Sequence, residues 1–459
     1  MHGAPFDIPA DLDTPVSAFL KLAPLAPRFL LESVEGGERV GRYSFLGFGE
    51  AEEIRIGPDF ARAADGRSQA DPESFLAALR AALSTAPRFD PCTSTIPFAG
   101  GLVGAVAYDA TRRLERLKSA ATRRAGECHA LFVAPKSVLV FDHVTRRAAL
   151  LHAGSDTDRR SLRAAVLRAL QAGLTAPPSK RSDGVVRASF DRDAFVAAVR
   201  RGQEAIRTGE VFQIVLSVRF EAEFDGDAFS VYRALRVLNP SPYSFFVRIG
   251  DTEIVGSSPE ALVRLHGRDA TLRPIAGTRP RGADDGEDAR LERELLADPK
   301  EAAEHVMLVD LARNDLGKVA VPGTIAVAPT RAIERYSHVM HLVSGVRGVL
   351  APGRDAFDLF AAAFPAGTVT GAPKVRAMEL IDAIEPSGRG FYAGSVGYFG
   401  HGGAMDHAIA IRTLVISGGR VSYQGGAGIV ADSVPTDEYD EVLAKTAALR
   451  HALATGATP

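Results

Sequence analysis

The chain is predicted to be α+β, with helices packed outside antiparallel sheets. Three observations support this. Between Phe391 and Ile429 the stretches Phe391–Phe399, Met405–Ile416 and Arg420–Ile429 are apolar and joined by Gly-rich turns at 400–403 and 418–419, the pattern of an antiparallel meander. Helical periodicity recurs at roughly 291–314, 355–364, 373–385 and 436–453, enough to cover such sheets. No repeat, coiled coil or low-complexity tract competes with this reading.

Taken in order, residues 1–175 hold short strands and helices with no evident chemistry. Met1–Thr14 carries prolines and aspartates where a signal peptide needs a basic start and an apolar run. The segment 171–184, rich in Pro, Gly, Ser and charge, reads as a linker, which sets a region 1–175 before a second region 186–455. Asp191 caps a helix running to Arg207, with Phe195, Val196, Val199 and Ile206 on its apolar side and Gly209 ending it. Val211–Phe220 reads as a strand whose one face carries Phe212, Ile214, Leu216, Val218 and Phe220, and the other Gln213, Ser217 and Arg219.

Composition excludes several function classes. Of 459 residues, 46% are hydrophobic and 24% charged, an ordinary globular balance. The 54 basic and 56 acidic side chains nearly cancel, so neither nucleic acid nor an anionic membrane is an expected partner. No apolar run approaches the ~20 residues of a membrane span. Cys92 and Cys128 are the only cysteines, too few for a disulfide framework or a thiolate metal site, and they fit a reducing cytoplasm. There is no tryptophan.

Chemistry concentrates near the C-terminus. Gly425-Gly426-Ala427-Gly428 exposes backbone N–H groups, and the helix that follows sets Glu438, Glu441 and Lys445 on one face. Glu301 and Glu304 form a second such pair. Solvated surface helices also carry Glu pairs, but two of them beside apolar strands suggest Mg²⁺, which takes oxygen ligands and keeps substrate oxygens and waters as partners. Arg412, in the strand Ala408–Arg412, can grip a carboxylate or close a structural salt bridge, and Tyr392 on the neighbouring strand can add a hydrogen bond. The loop Phe364–Lys374 leads into a helix whose first N–H groups attract an anion. His338 and His341, three apart on an expected helix, lack a third ligand for zinc, so an acid–base role or a core position remains for each. Glu260 follows a strand broken by Pro259; buried near other carboxylates it would hold its proton and could donate it.

Together these segments resemble the chorismate-utilising enzymes, in particular the large subunit, component I, of anthranilate synthase. The resemblance is densest from about 190 to 450: Glu210–Ser217, Ser257–Glu260, Pro274–Thr278, Asp310–Asp315, His338–His341, Pro365–Lys374 and the C-terminal block above. It implies two antiparallel sheets packed as a sandwich with helices outside, the two regions being interleaved. It further implies Glu304 and Glu441 as Mg²⁺ ligands, with Glu301 and Glu438 holding metal-bound water. The ring carboxylate of chorismate would meet the amides of Gly425, Gly426, Ala427 and Gly428, with Lys445 nearby. Arg412 and Tyr392 would hold the enolpyruvyl carboxylate, and Thr278 would also face the substrate. Glu260 would protonate the departing ring hydroxyl, and His341 and Thr368 would assist pyruvate loss.

Two positions separate the relatives. Those that add water have a lysine base where Gln213 stands, and typical aminodeoxychorismate synthases have a lysine nucleophile where Ala276 stands. Neither residue here can play those parts, which favours anthranilate from chorismate and ammonia over the aminodeoxychorismate alternative. Leu31, Glu32, Ser33, Asn239, Pro240, Ser241 and Tyr243 match the elements of a tryptophan feedback site. Neither cysteine has the flanking glycines of a nucleophile elbow, so glutamine-derived ammonia is expected from a partner glutamine amidotransferase subunit.

Overall fold

The computed structural model describes residues 6–33, 41–57, 72–89, 96–117, 128–174, 184–336 and 339–456. Cys92, His338 and the middle of the expected linker, 175–183, lie outside the described residues.

Two antiparallel ladders make the frame. One runs Arg147–His152, Ala130–Asp142, Tyr43–Ile56, Pro27–Glu32, Tyr243–Ile249, Thr252–Ser258, Thr413–Ser417, Arg420–Ile429, Gln213–Glu223. The other continues from the first half of Ala130–Asp142 through Gly101–Val106, Ser395–Gly400, Met405–Ile409, Ala261–His266, Asp269–Leu272 and Val346–Val349. The long strands Tyr43–Ile56 and Ala130–Asp142 belong to both, and a register shift between Phe48 and Ala51 lies where they pass from one to the other.

Period-two alternation explains why the ladders stack. Phe29, Phe45, Val138 and Phe245 of the first sheet share a core with Val103, Leu131, Val133 and Val396 of the second. Their neighbours Leu30, Leu46, Leu139 and Phe246 point the other way, beneath the helices Arg192–Arg207, Ala228–Leu238, Lys374–Ile384 and Pro435–Thr455. Leu102, Phe132 and Leu265 likewise meet Pro72–Thr85, Pro299–Gly317 and Ala356–Ala363. The order is helix, sheet, sheet, helix, as expected. A small third sheet, Ile275–Pro280, Val339–Val343 and Ala332–Arg335, packs on Asp285–Ala297 and Pro299–Gly317. Among the described residues no helix is long and apolar enough to cross a membrane.

Several boundaries differ from the sequence reading. Asp191 caps its helix as expected, accepting from Ala194 N at 2.8 Å. The strand after it starts at Gln213, because Phe212 is 73% exposed and its N–H bonds Ala372 O at 2.7 Å, off the ladder. The expected 291–314 helix is two, broken where Pro299 has no N–H to give and Asp298 caps the second. Left-handed Ala393 (φ 60°) delays the 391–399 strand to Ser395, so Tyr392 sits in the preceding turn. The 405–416 stretch breaks around left-handed Arg412 (φ 51°), where the chain leaves the second sheet for the first. His341 lies on a strand, not a helix: Met340 and Leu342 are buried and His341 alternates outward.

Candidate active site

A cavity of about 880 Å³ opens where the small sheet meets the helices Pro299–Gly317 and Pro435–Thr455. Both acidic pairs reach it. Glu301 and Glu304 come from the first helix, Glu438, Glu441 and Lys445 from the second. Asp298 starts the first helix by accepting from Lys300 N (2.9 Å) and Glu301 N (3.2 Å). Arg279 then ties that end down, donating to Asp298 (2.8 Å) and Glu301 (3.2 Å). Lys300 bonds Asp432 at 3.1 Å, linking the two helix starts. Lys445 pairs with Glu441 and donates to Gly426 O at 3.1 Å.

The acidic set suits a hard cation. Burial and the neighbouring charge of Glu301 push the Glu304 carboxyl above its usual range, with Lys300 and Lys445 opposing and Glu441 adding to the rise. Glu438 is raised too, first by burial, and its Oε2 is a buried oxygen with no hydrogen-bond partner. Among the described residues no three His, Cys, Asp or Glu side chains gather as a ready cage. Mg²⁺ asks for none: it is held by one or two carboxylates and completes its shell with water and ligand oxygens. The donors are hard oxygens, and one of them is orphaned, so they fit that ion.

Opposite the acids stands a half-buried cation. The Arg412 guanidinium makes no ion pair or side-chain hydrogen bond among the described residues, and burial pulls its pKa down against the charges of Tyr392 and Glu441. Such a group needs an anion. The glycine strand forms the adjoining wall. Gly425–Gly428 pair with Val218–Val215 on one edge, while Thr413–Ser417 pairs no further than Tyr423 on the other, leaving alternate backbone groups of that edge open. A Cβ on Gly425 would sit 2.6 Å from Thr446 Cγ2, and one on Gly426 2.6 Å from the Tyr392 hydroxyl. Only glycine permits that approach.

Glu260 accepts from Thr368 Oγ1 at 3.0 Å. Burial pushes its carboxyl up to about 7, against the Thr368 hydrogen bond and the Lys445 charge. It can therefore carry a proton at neutral pH. His341 Nδ1 lies 3.2 Å from Gly277 O, an acceptor, and 3.1 Å from Thr278 Oγ1, so that nitrogen carries a hydrogen. Gln213 lines the cavity, and Ala276 is buried.

Not every expected residue faces this cavity. Thr278, His341, Thr368, Arg412, Gly428, Lys445 and the four glutamates do. Glu260 lines an adjoining space of about 40 Å³ with Thr368, Arg273 and Asp315. Tyr392, its pKa raised to about 12 by burial, fronts a separate cavity of about 140 Å³ with Arg389 and Gln424. Gly425, Gly426 and Ala427 line neither of the first two. Leu31, Glu32, Ser33 and Tyr243 share a pocket of about 250 Å³ with Phe45, Tyr398 and Asp406. Asn239, Pro240 and Ser241 belong to the large cavity instead, and Pro242 lines both. Glu32 is already engaged by Arg236 (3.1 and 3.2 Å) and the Tyr232 hydroxyl. Asp298 and Arg279 are site residues that the sequence does not single out, although the Asp-Pro start before Glu301 is a signal for the first.

A model of the chorismate binding enzyme family matches residues 26–451. Anthranilate synthase component 1 of Thermus thermophilus is 46% identical over 448 residues, covering 97% of this chain and 96% of that protein. The protein of the same name from Cereibacter sphaeroides is 44% identical over 466 residues, with 96% and 92% covered. The crystal structure of anthranilate synthase component I from Streptococcus pneumoniae superposes with a TM-score of 0.78 at 36% identity, over 89% of this chain and 92% of that one. The chain therefore belongs to the chorismate binding enzyme family and aligns along nearly its whole length with members named anthranilate synthase component 1.

Proposed function

We propose that this chain converts chorismate and ammonia to anthranilate and pyruvate, the first step of tryptophan biosynthesis. The observation that carries the reading is one cavity that joins two acidic helix faces to an unpartnered Arg412 and, through Thr368 on its wall, adjoins the space holding a protonatable Glu260, with no lysine at position 213 or 276.

In this reading Arg412 grips the enolpyruvyl carboxylate, with Tyr392 beside it, and the open edge of Gly425–Gly428 with Lys445 takes the ring carboxylate. Glu304 and Glu441 would hold Mg²⁺, and Glu301 and Glu438 its water; bound there, the ion supplies Lewis-acid neutralisation of the ring carboxylate. A carbon–nitrogen bond forms as ammonia attacks the ring. The carbon–oxygen bond to the ring hydroxyl breaks, and Glu260 gives the departing oxygen its proton, releasing water. Ammonia arrives as its own nucleophile, so Gln213 has no proton to remove. In the second step the ring loses a proton and the bond from the ring carbon to the enolpyruvyl oxygen breaks, so that oxygen leaves with the three-carbon fragment. The ring becomes aromatic, and the three-carbon fragment takes up a proton as pyruvate, with His341 and Thr368 assisting. A separate glutamine amidotransferase subunit supplies ammonia, tryptophan inhibits through the 250 Å³ pocket, and the setting is cytoplasmic.

The test is product identification. Purified protein given chorismate, Mg²⁺ and an ammonium salt is expected to release blue-fluorescent anthranilate and an equal amount of pyruvate. Aminodeoxychorismate or isochorismate as the main product rejects the proposal.

A further inference from the structure

Behind the site lies an ion pair that the proposed chemistry does not use. Arg389, in the turn between Lys374–Ile384 and Ser395–Gly400, is 2% exposed, and Glu385 is 8% exposed. Arg389 Nε donates to Glu385 Oε2 at 3.0 Å and Nη2 to Glu385 Oε1 at 2.7 Å. Nη2 also reaches Val215 O (2.7 Å), and Nη1 reaches Val369 O (2.6 Å). Glu385 Oε1 accepts in addition from Ser217 N (2.9 Å) and Ser217 Oγ (2.7 Å), and Gln424 Nε2 donates to that hydroxyl at 2.8 Å. The guanidinium lies 4.8 Å from the Tyr108 ring centre and 5.7 Å from that of Tyr392.

A dry ion pair is seldom a better stabiliser than apolar side chains of the same shape. What this one does is join segments that carry the site. Val369 follows Thr368, Val215 lies two residues from Gln213, Gln424 precedes Gly425, and Tyr392 rests on the guanidinium. Val215 N also donates to Thr370 O at 2.8 Å, so the Thr368 loop is held on both sides of one strand residue. A lysine could reach one of these acceptors but not the carboxylate fork and two carbonyls together.

We propose that Arg389, braced by Glu385, is a positioning residue: by fixing the Val369 carbonyl it keeps the Thr368 hydroxyl on Glu260. In this role it depends on Glu260 being the proton donor proposed above. A hydrogen bond donated to a carboxyl group favours its charged form, so loosening Thr368 strengthens Glu260's hold on its proton. Among the described residues the other charged groups facing Glu260 are Lys445 and, across the 40 Å³ space, Arg273 and Asp315; none of them is bonded to Arg389.

Arg389→Lys is expected to lower kcat about ten- to a hundredfold, while KM for chorismate changes less than about threefold. The Glu260 titration, followed by ¹³C NMR of carboxyl-labelled glutamate and assigned by its loss in Glu260→Gln, is expected to move to higher pH. Thr368→Val should give the same movement, and the double variant no more than either alone. If Arg389→Lys does not fold, Glu385→Gln, which keeps shape and acceptor oxygen, is read in its place and is expected to shift Glu260 in the same direction. An unchanged Glu260 titration in a folded variant, or additive shifts with Thr368→Val, overturns the proposal. The titration needs no turnover, so it decides the role of Arg389 even where wild-type protein makes a different product, a result that overturns the function alone.

Discussion

At the scale of single residues, the proton on Glu260 matters most to the proposed chemistry, because its carboxyl accepts from Thr368 at 3.0 Å at the edge of the large cavity. Glu260 and Arg412 stand out by type and setting, Thr368 and the role of His341 only through the family resemblance, and their side chains converge on adjoining cavities. Arg412 was expected inside a strand, yet its left-handed backbone marks the crossing between sheets. Alternation in Ala408–Arg412 carries no trace of that, because the crossing is imposed by two different ladders pairing either side of it. Glu260 gives the first prediction. Its carboxyl is raised from 4.5 to about 7 by burial, so the proton donor is lost as pH rises through that value, and kcat/KM should fall about tenfold per pH unit on the alkaline side. Stability follows the same sign. Burial favours the protonated form, so the contribution is fully present below the unfolded value and is lost as pH climbs through the folded one. Melting temperature should therefore decline between about pH 5 and pH 8 more steeply in wild type than in Glu260→Gln. Calorimetry on the two proteins checks this, and parallel curves would contradict a raised carboxyl at this position.

Elements were legible where one signal dominated. Asp191, the apolar stripe behind it and Gly209 define a helix locally, and the fold keeps it. Local pattern failed where a neighbouring element decides the outcome. Val339–Val343 carries one histidine, His341, at helical spacing from His338 before it, but pairing with Ile275–Pro280 and Ala332–Arg335 makes it a central strand. The break at Asp298-Pro299 matters most for function, since it sets Glu301 in the first turn of its helix. Removing the cap by Asp298→Ala should cost about 1 kcal/mol of stability. It also removes one of the two bonds by which Arg279 holds Asp298 and Glu301 together. We expect the Mg²⁺ concentration for half-maximal activity to rise severalfold, with kcat at saturating Mg²⁺ reduced much less. Magnesium titrations of both proteins at fixed chorismate decide it; an unchanged midpoint would separate the cap from the metal site.

Across the whole molecule, motifs more than a hundred residues apart were recognisable as belonging together, but the walls between cavities were not. The segment 239–243 reads as one effector element in sequence. Folded, it divides: Asn239, Pro240 and Ser241 face the catalytic cavity, Tyr243 faces the 250 Å³ pocket, and Pro242 touches both. A short polar chain crosses that wall. Ser244 Oγ, in the small pocket, lies 3.3 Å from Ser257 Oγ; Ser257 donates to Asn239 O, and Asn239 Nδ2 donates to Ser257 O at 3.0 Å. If tryptophan binds beside Ser244, this chain is a polar route to a residue of the catalytic cavity. The protein has no tryptophan of its own, so the emission of added tryptophan reports binding directly. Wild type should give a saturable blue shift as the indole enters a pocket walled by Phe45 and Tyr398. Linkage requires that chorismate with Mg²⁺ weaken that binding by the same factor by which tryptophan weakens chorismate. Ser257→Ala should keep the tryptophan Kd within about twofold while reducing the mutual effect several-fold. It also removes both hydrogen bonds of the Ser257 hydroxyl, at a cost of about 2 kcal/mol of stability. No shift at millimolar tryptophan would remove the effector site, and a full mutual effect in Ser257→Ala would show that coupling runs elsewhere through the shared wall.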